Sequence, residues 1–334
     1  MQPEQLGPDD DGIRKPGPEA NWNESRYLDF LDPAQNVAGW LRLGNRPNEG
    51  HAERSVCVHL PDGRAAFGFA RPAIVGNTDA AGGLAWGVDQ PLVLSSVRFE
   101  CELSLLDDPR ALINPKKALS GAPMLPCHID LAVHADGLAS VLGQEQWQIG
   151  KIFLPGQADG HYQHLVRTRG KVQVGAQTWT IIGYGCRDHS WGPRNWNSKR
   201  HFRWLVGLGE QGFGFMLTVS ANDNERRRAG CVWIDGRFLW TEDIDLSCDY
   251  SSDDHLVQRV CITVRAEGRV GRIEGTPVSH LPLRHRRNEA SGGESVLRIV
   301  KSPMHWRVEG GGEAWGVAEM HDRLEAGVPV DQNV

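Results

Sequence analysis

The segment Gly183-Tyr-Gly-Cys-Arg-Asp-His-Ser-Trp-Gly-Pro-Arg-Asn-Trp196 brings together a carboxyl (Asp188), an imidazole (His189), two guanidiniums (Arg187, Arg194) and two indoles (Trp191, Trp196). A carboxyl kept protonated by burial among large rings can hand its proton to an apolar alkene. Aromatic faces then stabilise the cation that forms. Asp188 is the candidate acid, and His189 the candidate base that takes a proton from the added water. Tyr184 is a candidate hydrogen-bond donor to a substrate oxygen. Trp191, Trp196 and Trp204 are candidates to face the cation, with Arg187 and Arg194 beside the substrate. A structural reading stands next to this one. Asp188 paired with Arg187 or Arg194 would be a buried ion pair, and a guanidinium at that distance makes a carboxyl a poor acid. If the segment is extended, neighbours point to opposite faces, and only one of Asp188 and His189 serves the chemistry.

The elements that must position these groups read as strands. Gly183, Gly185, Gly192 and Pro193 exclude a helix and predict a shaped turn between strands. Ser55–Leu60 and Ala65–Ala70 flank a Pro61-Asp-Gly-Arg64 turn and predict a hairpin. Val97–Leu105 alternates apolar and polar residues, as a half-buried strand does. Leu165–Val174 and Gln177–Gly183 bracket a Gly175-Ala176 turn and lead into the segment. Gly230–Ile234 and Arg237–Trp240 flank Asp235-Gly236, a two-residue hairpin signal. Helical periodicity is weak, with one brief helix expected within 107–119. Turns this frequent over 334 residues predict an all-β protein of two joined antiparallel barrels. The expected division is a loosely ordered arm over 1–18, a barrel over 19–182 and a second over 183–334, with the 183–196 segment at the seam.

Composition narrows the partners. Apolar residues make up 40% and charged residues 23%, and the net charge is −6, which gives no electrostatic reason to expect nucleic acid or an anionic membrane. No apolar run is long enough for a membrane span. Met1–Ala20 is polar and proline-rich, with no apolar stretch of the kind a secretory leader carries. Seven cysteines, an odd number without a Cys-x-x-Cys pair, argue against a disulfide framework or a zinc knuckle and point to a cytoplasmic setting. His161-Tyr-Gln-His164 and His128-x-Asp130 only faintly resemble metal ligands. In a strand His161 and His164 face opposite sides, so no metal is expected. No phosphate loop, dinucleotide fingerprint or nucleophile elbow occurs, and no cofactor is expected. Twelve tryptophans against four tyrosines, many beside glycine, suit a roomy apolar cavity as well as a filled barrel. Glu319 and His321 alternate around Met320 and would share a strand face. They would either close the far barrel against a ligand or face solvent.

Four segments together resemble one family: Trp22-Asn-Glu-Ser-Arg-Tyr-Leu-Asp-Phe30, Gly39-Trp-Leu-Arg-Leu-Gly-Asn-Arg-Pro-Asn48, Gly183–Trp196 and Ala314-Trp-Gly-Val-Ala-Glu-Met320. Over about residues 20–325 the chain is similar to the carotenoid 1,2-hydratase (hydroxyneurosporene synthase-like) and AttH-like group. The resemblance implies two lipocalin-like (calycin) barrels in tandem and a cofactor-independent hydratase or dehydratase of isoprenoid double bonds. It adds Trp22, Glu24 and Tyr27 to the candidate substrate-binding residues, Glu24 being either a second carboxylate at a cavity between the barrels or a structural cap. Arg187 and Pro193-Arg194 depart from the carotenoid enzymes and point away from a long carotenoid. Arg42 and Asn45 are read as structural. An isomerase or cyclase of a polyene, and a non-catalytic carrier of hydrophobic ligands, are the alternative functions.

Overall fold

The computed structural model describes residues 6–135, 140–142, 158–194, 200–210, 212–234, 236–288, 294–310 and 312–331. They form two compact units, each built on one antiparallel sheet.

In the first unit the strands are β1 (Trp22–Asp32), β2 (Val37–Arg46), β3 (His51–His59), β4 (Ala65–Ala70), β5 (Ala80–Ala81), β6 (Leu84–Gln90), β7 (Leu94–Leu106), β8 (Met124–His134), β9 (Ser140–Leu142), β10 (Gly160–Val174) and β11 (Gln177–Pro193). They are ordered β4-β3-β2-β1-β11-β10-β8-β7-β6-β5, with β9 on β10. A further β4–β7 pairing closes the run into a barrel. Closure leaves no long free edge between these strands. Inside it Leu28, Phe30, Leu41, Leu43, Val56, Phe99, Leu131 and Val166 form one core.

The second unit contains β12 (His201–Gly209), β13 (Phe213–Ala221), β14 (Arg226–Ile234), β15 (Arg237–Trp240), β16 (Asp243–Tyr250), β17 (Val257–Ala266), β18 (Arg269–Pro277), β19 (Leu281–Asn288), β20 (Glu294–Val308), β21 (Gly312–Glu325) and β22 (Val328–Pro329). Their order is β15-β14-β13-β12-β21-β20-β18-β17-β16, with β19 on β20 and β22 on β21. The two ends of the sheet meet where Thr241 N donates to Gly230 O (3.0 Å) and Arg228 Nη1 donates to Ile244 O (2.9 Å). Its core gathers Leu205, Phe215, Val260, Ile273, Met304 and Trp306. The tandem-barrel architecture expected from the sequence is the one found.

Three local expectations need correction. The Gly183–Pro193 segment is not a turn: β11 runs unbroken from Gln177 to Pro193. Its glycines serve close approach of backbones rather than a bend. A Cβ at Gly185 would collide with the Asp29 carbonyl oxygen of β1, and one at Gly183 would stand 2.8 Å from Leu31 O. Only Gly192, with φ +114°, adopts a backbone that L side chains avoid. Because β11 is laddered between β1 and β10, the whole segment through Arg194 belongs to the first unit, past the boundary expected at 182/183. Within 107–119 a 3-10 turn (Pro109–Ile113) and a short helix (Pro115–Leu119) do form, but Pro109–Lys117 groups with the second unit.

The expected arm is the third correction. Pro8–Asp11 winds into a 3-10 turn, begun by proline where its missing N–H costs nothing. Asp11 at its end is completely buried.

Candidate functional site

The register of β1, β10 and β11 sorts the candidate residues onto two faces. Residues directly opposite one another in a ladder share a face. Glu24 stands opposite Trp191, Arg26 opposite His189 and Leu28 opposite Arg187. On the other side of β11, Gly160, Tyr162 and His164 stand opposite Trp191, His189 and Arg187. Leu28 belongs to the core, so this is the core face. The intervening rows, with Tyr27 opposite Asp188 opposite Gln163 and Ser25 opposite Ser190 opposite His161, lie on the reverse face. Every residue of β1 is buried, so both faces of this strand are covered.

The core face carries a polar cluster fastened by the N-terminal turn. Arg187 Nη2 donates to Asp11 Oδ2 (3.0 Å), Nη1 to Ser95 Oγ (2.6 Å) and Nε to His164 Nδ1 (3.2 Å). Asp11 also accepts from the Tyr162 hydroxyl and from Leu92 N (2.7 Å). Burial acts to raise the Asp11 carboxyl, but Arg187 and these hydrogen bonds outweigh it and hold the group well below the usual carboxylate range. Burial beside the same guanidinium pushes His164 down to about 3, consistent with its accepting role.

His189 and Glu24 form the second half of this cluster. His189 Nδ1 lies 3.1 Å from Asp10 O, and since a carbonyl only accepts, Nδ1 carries the hydrogen. His189 Nε2 lies 2.8 Å from Glu24 Oε1. Burial, with Arg26 nearby, pushes the imidazole well below its ordinary value. The same burial pushes Glu24 up to about 7, against the Arg14 N–H bond and the Arg26 charge. Both directions favour a neutral pair in which the Glu24 carboxyl donates to Nε2. Arg14 N (3.0 Å) and Asn77 Nδ2 (2.6 Å) donate to Glu24 Oε2. Trp191 leans on His189 with ring centroids 5.1 Å apart, and the Arg14 guanidinium lies 4.0 Å from its centroid. Trp191 also packs over Gly160, where no side chain would fit. Trp22 is buried on β1, two residues before Glu24.

The reverse face holds the other set. Asp188 Oδ2 lies 3.1 Å from His161 Nε2, and Asp188 keeps 20% side-chain exposure against 7% for His161. The Arg42 and Arg194 guanidiniums act on Asp188 electrostatically. Arg194 is turned back to Ser190 Oγ (2.7 Å), and burial, with Arg42 beside it, pulls it down to about 10. Burial raises the Tyr27 hydroxyl well above its ordinary value, and the carboxylates of Asp29 and Asp188 add to this. Tyr27 therefore stays a neutral phenol. Tyr184 is buried farther along β11, with the Arg167 guanidinium 5.6 Å from its ring centroid.

The structure thus brings Asp188, Tyr27, Tyr184 and Arg194 to one face. It puts His189, Arg187, Trp191, Glu24 and Trp22 on the other, so neither His189 nor Trp191 stands on the side of Asp188. Of the alternative ion pairs of Asp188, the one with Arg187 does not form, since Arg187 points into the core, while Arg194 shares the Asp188 face and acts on it electrostatically with its guanidinium bonded to Ser190 Oγ. Trp204 lies on β12 of the second unit, and Trp196 lies outside the described residues. His161 and His164 do face opposite sides, as strand parity requires. Among the described residues no three His, Cys, Asp or Glu side chains gather as metal ligands. Arg42 lies 3.6 Å from Glu53, and Asn45 Nδ2 donates to Thr78 O (2.7 Å). Sequence reasoning missed Asp11, Arg26 and Tyr162, and saw His161 only as a faint metal ligand. Its available signal was parity: His161 and Asp188 can share a face once both sit on adjacent strands.

No helix among the described residues is long and apolar enough to cross a membrane. Residues 7–324 match a family described as a domain of unknown function, DUF7064. No curated protein matches the sequence. Among solved structures the chain is similar to an AttH-like protein from Nitrosomonas europaea at 12% identity, with a TM-score of 0.60 and coverage of 90% of this chain and 92% of that one. It is also similar to CghA at 9% identity, with a TM-score of 0.55 and coverage of 92% and 88%. A third likeness is to kievitone hydratase from Nectria haematococca at 8% identity, with a TM-score of 0.52 and coverage of 95% and 92%. At these identities the likeness is one of fold.

Proposed function

The chain belongs to the DUF7064 family, and from that premise we propose that it is a cofactor-independent hydro-lyase, adding water to or removing it from a C=C bond of an apolar, isoprenoid substrate. The observation that carries this reading is the Asp188–His161 contact of 3.1 Å on the face away from the core, with Tyr27 opposite Asp188 in the ladder. A hydratase among proteins of this fold, and the resemblance to carotenoid 1,2-hydratases, give the reaction class its support.

The pair shares one proton at the start of the cycle. In the direction of hydration, Asp188 gives that proton to one alkene carbon, and the other carbon becomes a cation. Tyr27 and Tyr184 are aromatic groups of this face whose π-faces would stabilise it. Water adds to the cation and loses a proton to His161 Nε2. Passage of that proton back to Asp188 Oδ2 restores the starting state, so H and OH have been added and nothing else consumed. Dehydration is the same path reversed. Seven cysteines without a disulfide support a reducing, cytoplasmic setting.

The test is turnover of short and long isoprenoid alkenes and alcohols in deuterated water, with binding followed by thermal shift. Deuterium on carbon in a hydrated product is expected. Asp188→Asn is expected to lower turnover by about 10²- to 10⁴-fold with substrate affinity little changed. Undiminished turnover in a folded Asp188→Asn protein would sink the assignment. Labelled product without added water would instead indicate an isomerase or cyclase, and binding without label a carrier.

A further inference from the structure

The second unit holds a polar row that the reading above does not use. On β21 and β20, Glu319 stands opposite Lys301, and both lie in ladder with Trp204 of β12. His321, two residues along, shares their face and stands opposite Phe202. Lys301 Nζ is ion-paired to Glu319 Oε2, while Glu319 Oε1 lies 2.5 Å from His321 Nε2. The row is buried rather than solvent-facing: side-chain exposure is 8% for Lys301, 14% for Glu319 and 1% for His321. Even-numbered Val300 and Met320 of the same strands are core residues, so the trio occupies the reverse face of the sheet.

Three charged or titratable groups linked end to end and buried are costly to keep for packing alone. Their order is that of a base: an ammonium holds a carboxylate, which holds one imidazole nitrogen. With Nε2–H donated to Glu319, His321 exchanges protons through Nδ1. A second, independent observation lies in the same cross-strand row. Ser220 of β13 stands opposite Phe202, is fully buried, and its hydroxyl has no hydrogen-bond partner among the described residues. A buried hydroxyl without a partner is uncommon enough to demand an explanation. Phe202 lies between it and His321, with its ring centroid 5.0 Å from the imidazole. Two strand spacings put Ser220 and His321 roughly 10 Å apart, about the width of two fused rings.

We propose that Lys301, Glu319 and His321, with Phe202, Trp204 and Ser220, form a second proton-transfer site that binds a flat apolar molecule bearing a weakly acidic hydroxyl, an enol or a phenol. The ligand O–H breaks, its proton goes to His321 Nδ1, and the oxygen keeps the electron pair as an oxyanion beside the imidazolium. Glu319 offsets the imidazolium charge through Nε2–H, and Lys301 keeps Glu319 ionised and in place. Ser220 donates to a second oxygen at the far edge of the ligand. Nothing in this proposal depends on Asp188.

The probe is 7-hydroxycoumarin, whose phenolate absorbs at longer wavelength than its phenol. Titrated into the full chain at a pH where the free probe is neutral, it is expected to show a bound phenolate band. His321→Gln should bind the probe without that band. Glu319→Gln should lower the bound phenolate-to-phenol ratio at least tenfold. Ser220→Ala should weaken binding and leave the band in place. Glu313→Gln, an exposed carboxylate on the same strand, should change neither. Circular dichroism checks each fold. If His321→Gln does not fold, the Glu319→Gln ratio decides. No band in the wild type, or a band unchanged in Glu319→Gln or His321→Gln, overturns the proposal.

Discussion

Replacing Glu24 by Gln tests the neutral Glu24–His189 pair directly. The amide keeps the shape, donates to His189 Nε2 and accepts from Arg14 N, but it cannot ionise. In the wild type the carboxyl moves from 4.5 in the unfolded chain to about 7 in the folded one. At about 1.4 kcal/mol per tenfold, that is worth about 3 kcal/mol. Between these values the folded protein holds a proton that the unfolded chain has lost. The contribution is therefore fully present below 4.5 and is lost as pH rises through about 7. Glu24 is nearly inaccessible, with 3% side-chain exposure, so solvent does little to screen it. The assay is urea unfolding of wild type and Glu24→Gln from pH 5 to 8.5. Other groups contribute to both proteins, including His189, whose lowered value costs stability as pH falls below 6.5. Their difference isolates Glu24. Wild-type stability minus that of the variant is expected to fall by about 2.5 kcal/mol across the range, since the loss has begun by pH 5. A flat difference, or one that holds between pH 5 and 6.5 and falls only above it as a carboxylate–imidazolium pair losing its imidazolium proton would give, refutes the neutral assignment.

Two further substitutions test the frame. Asp11→Ala strands the Arg187 guanidinium in the core with only neutral partners, and is expected to cost about 3–5 kcal/mol in urea unfolding. It should also expose the Pro8–Asp11 turn to limited proteolysis before the barrel itself. Gly185→Ala forces a methyl against the Asp29 carbonyl and is expected to cost about 1–3 kcal/mol, read as a lowered Tm. Wild-type stability in either protein would remove the account that prompted it.

The strands were legible because their pattern is local. The hairpin at Asp62-Gly63 and the alternation over Val97–Leu105 announce themselves in a few residues, and both formed. The segment at Gly183–Pro193 misled for a definite reason. Glycine marks both a turn and a place where another backbone comes close, and only the partner strand tells them apart. Once β11 is known to be continuous, parity alone separates Asp188 from His189. The Asp11–Arg187 and Glu24–His189 contacts were not legible, because they join positions far apart in the chain and nothing local records them. The acidic, proline-bearing start of the chain has the composition of a solvated arm, and its burial depends on Arg187 and Tyr162 in strands formed much later.

The ladder between β1 and β11 has a consequence for how the protein is made. Trp22 registers with Pro193, so the strand synthesised first waits for one of the last of its unit. Until β11 leaves the ribosome, β1 presents an open edge whose residues are all destined for burial. Such an edge is a template for pairing with other chains. Long-range closure of this kind is slow, since loop entropy is paid before the contacts repay it. Slower synthesis prolongs that exposure, so yield and solubility will depend on chaperone supply and on the rate at which residues 160–193 are translated.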